Sequence, residues 1–440
     1  MVEARFALLE AQKFRSPEPS LVNKIGVVDE RPHVLGSWRK LEVKDAAGGL
    51  GPRQGSSAFV HKGYLYVAGG EKYGGGPLYD QFWRINLAKL DKWQRLEDVP
   101  PSLGNHHINY GFAVTSDEKA FYFTGAMWVH YYDLRRQRWE GLITDPRASG
   151  VDWPFLDIDQ FSIQCVDDLI YIFGGCHSEA VLGRKYMLEF DPKAKRWAKL
   201  SGDYKPQMPD GSQPGPRHSA CSWVSKDKKI YLLYGDANRM AAQMANQVGA
   251  DRNMRADMVV QRLLELGYTI QDNRVIDQVI VFGGYCPSTP VSTEGHTLTY
   301  SYFGDTFICE FNDDVIPPKE PASELCIGSA ALVDSQRIKW KQVITRGFPT
   351  YRARAHLVVD GTTGKTYLFS GYVNTEYVPP RQTHVSRAFS DIWELRLNIP
   401  GGHFAGVGLA EKARTASAGP WKRCFACGSA GQWKKCEGEY

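Results

Sequence analysis

One sequence pattern occurs six times along the chain, and this repetition constrains the fold more than any other feature. Each copy has a hydrophobic run, a short polar turn and a second hydrophobic run that ends in glycine. β-Branched and aromatic residues favour strands, and turns such as Lys-Gly and Asp-Asp favour chain reversal, so each copy predicts a β-hairpin. The copies are SSAFVHKGYLYVAGG (56–70), GFAVTSDEKAFYFTG (111–125), FSIQCVDDLIYIFGG (161–175), ACSWVSKDKKIYLLYG (220–235), GYTIQDNRVIDQVIVFGG (267–284) and HLVVDGTTGKTYLFSG (356–371).

Most hairpins are followed by an aromatic strand such as QFWRINL or KYMLEFD, and then by a tryptophan segment. These tryptophan segments are WQRL, WEGL, WAKL and WKQV, and they begin at Trp93, Trp139, Trp197 and Trp340. Four-stranded units with a period of roughly 50 residues, closing glycines and a late tryptophan are typical of kelch-type β-propeller blades. A β-sandwich of regular hairpins is the alternative, but a sandwich does not require glycine and tryptophan at matched positions.

Two segments without a hairpin partner predict how the propeller closes. The strand DIWELRL (391–397) has no tryptophan segment after it, whereas WRKL (Trp38–Leu41) precedes the first hairpin. Placing WRKL as the outer strand of the last blade removes the exposed edges of an open array. The sequence therefore predicts an all-β, six-bladed propeller over residues 38–398, closed by an N-terminal strand, with an extension at 1–37.

The fourth blade departs from the pattern. Residues 236–262 contain no tryptophan and no aromatic strand, and their Ala, Met, Gln and Arg content favours helix. Met240, Met244 and Val248 share one face at helical spacing, which more often indicates packing than a cofactor site. We therefore expect an incomplete fourth blade with a helical insertion at about 236–262.

Composition limits the possible partners and compartments. The chain has 53 basic and 49 acidic residues, a balance too even for a nucleic-acid or membrane-surface footprint. Since no apolar run reaches signal or membrane-spanning length, we expect an intracellular protein, cytoplasmic or nuclear and not secreted. Six scattered cysteines lack the spacing of a disulfide framework and are expected to be reduced thiols. These are Cys165, Cys176, Cys221, Cys286, Cys309 and Cys326.

The C-terminal stretch CFACGSAGQWKKC brings together three further cysteines, Cys424, Cys427 and Cys436. It follows a Gly- and Ala-rich linker at 399–420, and we assign 421–440 to a partial zinc finger. Structural zinc requires four thiolate or imidazole ligands. His403 is the nearest upstream histidine, but nothing in its spacing recommends it as the fourth ligand. A redox CxxC pair is the alternative, but that reading requires a βαβ context, which is missing.

These motifs carry a resemblance to a known family. Hairpins ending in FGG and YG, the segment TRGFPTYRARAHL and the tail PWKRCFACGSAGQWKKC resemble fungal proteins that join a kelch propeller to a C-terminal MYND-type zinc finger. The resemblance covers the chain from about Trp38 to its last residue. It implies a finger that binds two zinc ions through cysteines and one histidine and holds proline-containing segments of partners.

Matched to that finger pattern, Cys424, Cys427 and Cys436 are the first three ligand positions, and Tyr440 stands where the fourth cysteine is expected. The later ligands are not part of this sequence. An unperturbed phenol has a pKa near 10, so a tyrosine is a poor replacement for a thiolate at neutral pH. We therefore expect zinc to be the cofactor of the tail but to bind weakly or not at all.

The function predicted from these features is a non-enzymatic protein-interaction scaffold. The loops after the second strands emerge on one face, and three of them, at about 70–80, 285–305 and 372–391, are long and rich in Tyr, Arg, Ser and Thr. Protein partners are expected to bind through these loops and the finger, with no nucleic acid and no membrane. Solvated loops without a partner are the plain alternative.

A copper oxidoreductase of the galactose oxidase kind is the enzymatic alternative, because such enzymes also use kelch propellers. Its site requires two histidines, tyrosines and a cysteine on the propeller axis. His218 and His356 are interpreted as equivalent residues at the start of two first strands, which suggests a structural role. The neighbours His106 and His107 point to opposite faces of a strand and make a poor chelating pair.

Overall fold

The computed structural model describes residues 34–45, 48–72, 76–101, 107–124, 128–144, 158–176, 186–201, 218–224, 228, 230–233, 269–273, 278–283, 285–287, 300–302, 306–311, 338–346, 349–350, 352–375 and 385–398. Within these residues all regular elements are β-strands, so this part of the chain is all-β as predicted. The predicted helical insertion at about 236–262 and the tail at 421–440 lie outside the described residues.

Strand β1 (Val34–Leu41) is followed along the chain by three antiparallel sheets of four strands each. The first sheet contains β2 (Ser57–His61), β3 (Tyr64–Ala68), β4 (Phe82–Asn86) and β5 (Gln94–Arg95). The second contains β6 (Gly111–Val114), β7 (Lys119–Phe123), β8 (Trp128–Asp133) and β9 (Arg138–Ile143). The third contains β10 (Asp159–Val166), β11 (Leu169–Cys176), β12 (Met187–Asp191) and β13 (Arg196–Ser201). Second strands such as β3 (YLYVA) and β7 (KAFYF) are the most buried, because other strands of the sheet flank them on both sides.

The remaining strands form one two-stranded sheet, one eight-stranded sheet and two separate hairpins. Strands β14 (Cys221–Val224) and β15 (Ile230–Leu233) make the two-stranded sheet. The eight-stranded sheet has the order β16-β17-β20-β21-β1-β26-β23-β22, with β16 (Thr269–Asn273), β17 (Gln278–Phe282), β20 (Thr306–Phe311), β21 (Ile338–Arg346), β22 (His356–Val359), β23 (Thr366–Phe369) and β26 (Ile392–Asn398). The hairpins are β18 (Tyr285–Pro287) with β19 (Tyr300–Tyr302), and β24 (Tyr372–Thr375) with β25 (Val385–Ala388).

The predicted pairing of the WRKL segment with the end of the repeat is confirmed. Strand β1 runs antiparallel to β26, with Trp38 opposite Leu395. It begins at Val34, four residues before the predicted boundary at Trp38. The same strand also pairs in parallel with β21, where Val34 stands opposite Val343. A single N-terminal strand therefore joins two four-stranded units into the eight-stranded sheet.

The first strands of the hairpins contact one another in the order β2, β6, β10, β14, β16 and β22, and β22 in turn contacts β2. Hydrophobic side chains fill the spaces between neighbouring sheets. Three tryptophans each connect their sheet to the preceding one. The indole N–H of Trp197 donates to Thr144 Oγ1 at 2.9 Å, that of Trp139 to the Glu97 carbonyl at 2.9 Å, and that of Trp38 to Thr306 Oγ1 at 3.0 Å. The described residues thus form a β-propeller-like fold.

Candidate binding face

The sheets have two opposite ends, which we call the loop face and the turn face. At the loop face the chain enters each first strand and leaves each second strand. Antiparallel bridges hold these two segments together between Gln54 and Glu71 and between Ala353 and Tyr372. The turn face contains the short connections between first and second strands and between third and fourth strands. The long connections predicted to bind partners start at the loop face.

Five residues with left-handed backbone conformation lie where the chain approaches the first strands. They are Gly55, Asn109, Gln160, Ser219 and Arg354, with φ between 50° and 63°. Four of them stand two residues before a first strand, and Gln160 is the second residue of β10. A left-handed conformation is uncommon outside glycine, and strained backbone often occurs at functional sites.

Backbone hydrogen bonds connect four of these residues in sequence around the molecule. The amide of Asn109 donates to the Gly55 carbonyl at 2.6 Å, that of Gln160 to the Asn109 carbonyl at 2.8 Å, and that of Ser219 to the Gln160 carbonyl at 2.7 Å. A side chain at position 55 would not fit, because its Cβ would lie 2.5 Å from Ile108 Cγ2. The chain therefore passes from sheet to sheet at equivalent, tightly specified positions.

The side chains at four of these positions, Asn109, Gln160, Ser219 and Arg354, converge with His218 into a polar group that we call the axial cluster. Arg354 Nη1 donates to Asn109 Oδ1 at 3.2 Å and Arg354 Nη2 to Gln160 Oε1 at 2.7 Å. Ser219 Oγ donates to the same Gln160 oxygen at 2.7 Å, and His218 Nδ1 lies 3.1 Å from it. A hydrogen bond between these two atoms requires the proton on His218 Nδ1, because a carbonyl oxygen only accepts. All five side chains are half-buried.

Two of the three long connections at the loop face contain β-hairpins. The 285–305 connection contains β18 paired with β19, and the 372–391 connection contains β24 paired with β25. The shorter connection at 70–80 turns back through a bridge between Glu71 and Leu78, whose side chain is 48% exposed. Paired strands hold these connections in a defined direction, which a binding surface requires.

Two buried arginines, Arg53 and Arg352, hydrogen-bond to the backbone at the loop face, where second strands end. Arg53 Nη1 donates to the Gly69 carbonyl at 2.9 Å and its Nη2 to Gln81 Oε1 at 3.1 Å. Burial lowers the pKa of Arg53 to about 10, although the nearby Tyr79 opposes this shift. Arg352 Nη1 correspondingly donates to the Ser370 carbonyl at 2.9 Å.

Asp391 takes the place beside Arg352 that Gln81 takes beside Arg53. Its Oδ1 lies 2.6 Å from Arg352 Nη1. Burial alone would raise the pKa of Asp391, but the charge of Arg352 and its hydrogen bonds, together with one from Trp393, lower that pKa below its usual value. Both arginines thus fix the glycine-containing segment where a second strand ends.

Most of the residues singled out in the sequence lie outside the described residues. These are Cys424, Cys427, Cys436, Tyr440, His403 and His106. His107 is described and buried, and its ring lies 5.9 Å from that of Tyr122 between centroids. Within the residues that the structure describes, no group of three or more His, Cys, Asp or Glu is close enough to hold a metal ion.

The interpretation of His218 and His356 as equivalent residues is wrong. His218 precedes the left-handed Ser219 and stands three residues before β14, whereas His356 follows the left-handed Arg354 and is the first residue of β22. His218 belongs to the axial cluster. His356 Nε2 instead donates to the Ser56 carbonyl at 2.8 Å, and burial lowers the pKa of His356 to about 4 against the opposing effect of that hydrogen bond.

The axial cluster was not predicted from the sequence. A signal for it exists, since Asn109 and Arg354 each stand two residues before a predicted first strand and Ser219 stands one residue before another. Hydrophobic periodicity gives no weight to such isolated polar residues.

Comparisons with known proteins give matches among solved structures alone. The chain matches no family model and no curated protein. Among solved structures, one titled "Structure of YjhT" is similar, with 12% sequence identity and a TM-score of 0.44, covering 78% of this chain and 95% of that chain. At these values the similarity carries no argument about function. In the described part of the chain, no helix has the length and hydropathy needed to cross a membrane.

Proposed function

We propose that the protein is a non-enzymatic protein-interaction scaffold, built on a six-bladed kelch-type β-propeller that binds its partner at the loop face. The observation that carries this proposal is that the axial cluster and the two hairpins start from the same face. Convergent polar side chains at a face from which two hairpins also start suit the recognition of a protein surface.

The six-bladed kelch assignment rests on the repeat and on the packing together. Six hairpins occur in the sequence, and their six first strands contact one another in a continuous circle. Tryptophans that connect successive sheets occupy the positions expected of late-blade residues in a kelch repeat. We assign β14 and β15 to the incomplete fourth blade.

The chemistry of the axial cluster favours binding over catalysis. Its groups are a guanidinium, two carboxamides, a hydroxyl and an imidazole, and they hydrogen-bond to one another through Gln160 Oε1. Such groups recognise polar surfaces through many geometrically fixed hydrogen bonds. A copper oxidoreductase of the galactose oxidase kind remains the alternative that a metal analysis decides.

A capture experiment tests the scaffold. In one variant, residues 374–386 are replaced by Asn-Gly, which closes the β24–β25 hairpin with a two-residue turn beside the pair Val373–Arg387. The control is Lys228→Ala, which removes an exposed ion pair with Asp167. We expect the full chain and the control to retain the same partner and the shortened variant to lose it. Retention by all three, or capture by none, contradicts the proposal, as does stoichiometric copper with oxidase activity.

For the tail, we propose that Cys424, Cys427 and Cys436 bind zinc weakly, with water in the fourth position. A neutral phenol at Tyr440 does not complete the tetrahedron, whereas a thiolate would. In chelator competition on the full chain, Tyr440→Cys is expected to bind zinc at least about tenfold more tightly than the unaltered protein, and Tyr440→Phe to match the unaltered protein. A Cys424→Ser, Cys427→Ser variant gives the background. Tight stoichiometric binding by the unaltered chain, or equal weak binding by all, contradicts the assignment.

A further inference from the structure

Strand β1 lies in a slot between β26 and β21, and both neighbours lie more than about 300 residues later in the chain. It pairs with β26 from Leu35 to Leu41 and with β21 from Val34 to Ser37. An added strand with main-chain hydrogen bonds on both sides has the geometry of β-strand recognition, in which pockets for alternate side chains supply specificity.

Three positions of β1 determine what the slot accepts. A Cβ at Gly36 would lie 2.8 Å from the Arg396 carbonyl oxygen and 2.9 Å from Val343 Cγ1, so only glycine fits. The Trp38 side chain is 4% exposed, donates its indole N–H to Thr306 and packs edge-to-face on Phe282 at 5.3 Å. Phe282 and Thr306, which hold the Trp38 side chain, belong to β17 and β20. They are therefore part of the neighbouring unit and not of the unit that β1 completes.

The third position is Arg39, which forms an ion pair with a buried carboxylate. Arg39 Nη2 lies 2.6 Å from Glu394 Oε2, and the Glu394 side chain is 2% exposed while that of Arg39 is 55% exposed. Arg396 and Lys365 also contact Glu394, at 3.2 Å and 3.7 Å. The slot therefore specifies the pattern Gly-x-Trp-Arg in an extended strand, with glycine, tryptophan and arginine each held by a different contact.

We propose that this slot is a peptide-binding site in its own right, with β1 as its resident occupant, and that the Gly-x-Trp-Arg strand of a second copy of this chain exchanges with it. The slot is independent of the loop face and of the function proposed for that face. Covalent connection gives the resident strand a high effective concentration, so exchange becomes measurable when that connection is cut.

The test uses the full chain with a protease site inserted between Asp45 and Gly48, so that cleavage leaves β1 bound without a covalent link. A labelled peptide of residues 34–41 serves as the probe. We expect the nicked protein to keep its melting transition and to exchange its strand for the probe. Peptides carrying Trp38→Ala or Gly36→Val should bind about 30-fold more weakly, the equivalent of roughly 2 kcal/mol for a buried anchor.

Three results overturn the proposal. The first is exchange of the altered peptides as readily as the unaltered one, because the slot would then lack the specificity that its pockets imply. The second is loss of the folded state on cleavage without recovery when the probe is added. As a second variant, uncut Arg39→Ala, which loosens the resident strand by removing its ion pair with Glu394, should bind more probe than the unaltered chain does. Equal binding by the two uncut chains also contradicts the proposal.

Discussion

The first unit of the propeller (β2–β5) and the last unit (β22, β23, β26 and β1) repeat one buried arrangement with different chemistry. Arg53 and Arg352 are each about 1% exposed, and each donates to the backbone carbonyl at the end of its second strand. The acceptor for the guanidinium is the neutral Gln81 in the first unit and the charged Asp391 in the last. In both units a tryptophan two residues after the acceptor donates its indole N–H to the same side chain.

Both units therefore keep an arginine that donates to the backbone carbonyl after the second strand, whereas only the last unit places a negative charge beside that arginine. In the first unit burial lowers the pKa of Arg53 to about 10, since the amide of Gln81 does not offset the cost of removing a charge from water. Tyr79 and Phe389 lie under the two guanidinium groups at 4.5 Å and 4.0 Å. An aromatic ring is thus common to both units, and only one unit adds a carboxylate.

The hydrogen bonds that connect these units to the next unit around the propeller also differ in chemistry. Ser57 Oγ donates to the Tyr110 carbonyl at 2.6 Å, and His356 Nε2 donates to the Ser56 carbonyl at 2.8 Å. Both residues begin a first strand, and each contacts the next unit. A hydroxyl keeps its hydrogen bond at all relevant pH values, whereas an imidazole acquires a charge. The last unit, where β1 pairs with β26, therefore depends more on charge and pH.

The largest difference between the units is expected when the acceptors are removed. Asp391→Ala leaves Arg352 buried without its counter-charge and should lower the free energy of unfolding by about 3 kcal/mol. Gln81→Ala removes a neutral hydrogen bond and should cost about 1 kcal/mol. Urea denaturation of both variants measures the contrast. Equal losses would show that the carboxylate contributes no more than the amide.

The effect of pH on the stability of the last unit should be smaller than the effect of Asp391→Ala. The folded-state pKa of His356 is lowered to about 4, so between that value and the ordinary value the unfolded chain binds the additional proton. Stability from this group is therefore present near neutral pH and falls as the pH drops. We expect a loss of about 2 kcal/mol between pH 7 and pH 5 that His356→Gln abolishes. An identical pH profile in that variant would assign the loss to other groups.

The smallest expected effect comes from a substitution that gives the first unit the carboxylate found in the last unit. Gln81→Glu places a carboxylate beside the buried Arg53 and should raise the free energy of unfolding by about 0.5 to 1 kcal/mol near neutral pH. The gain should disappear as the pH falls and the new carboxylate is protonated. The control is Gln94→Glu, at an exposed residue that contacts Arg84. A similar gain in the control would attribute the effect to surface charge.

Sequence reasoning identified the strands of the repeated units and the pairing of β1 with β26, because both follow from repeated local patterns, but it interpreted as loops the segments that contain β18, β19, β24 and β25. The parallel pairing of β1 with β21 was not predicted, since it depends on how two complete units pack. The axial cluster was missed because left-handed conformation at Gln160 or Arg354 leaves no signal in residue type. The placement of His218 at the start of a first strand was wrong for a similar reason, because the left-handed Ser219 follows it and β14 begins only at Cys221, whereas His356 does begin β22.

The central claim is that the N-terminal strand closes the ring, and two matched truncations test it most directly. Removing the residues before Val34 takes away no contact of β1 with β26 or β21, and removing the residues before Lys40 takes away Trp38 and Arg39. We predict an unchanged melting midpoint for the first truncation and a loss of roughly 4 kcal/mol of stability for the second, from the loss of a buried tryptophan and of the closest cation beside the buried Glu394 carboxylate. An unchanged midpoint in the second truncation would contradict the closure.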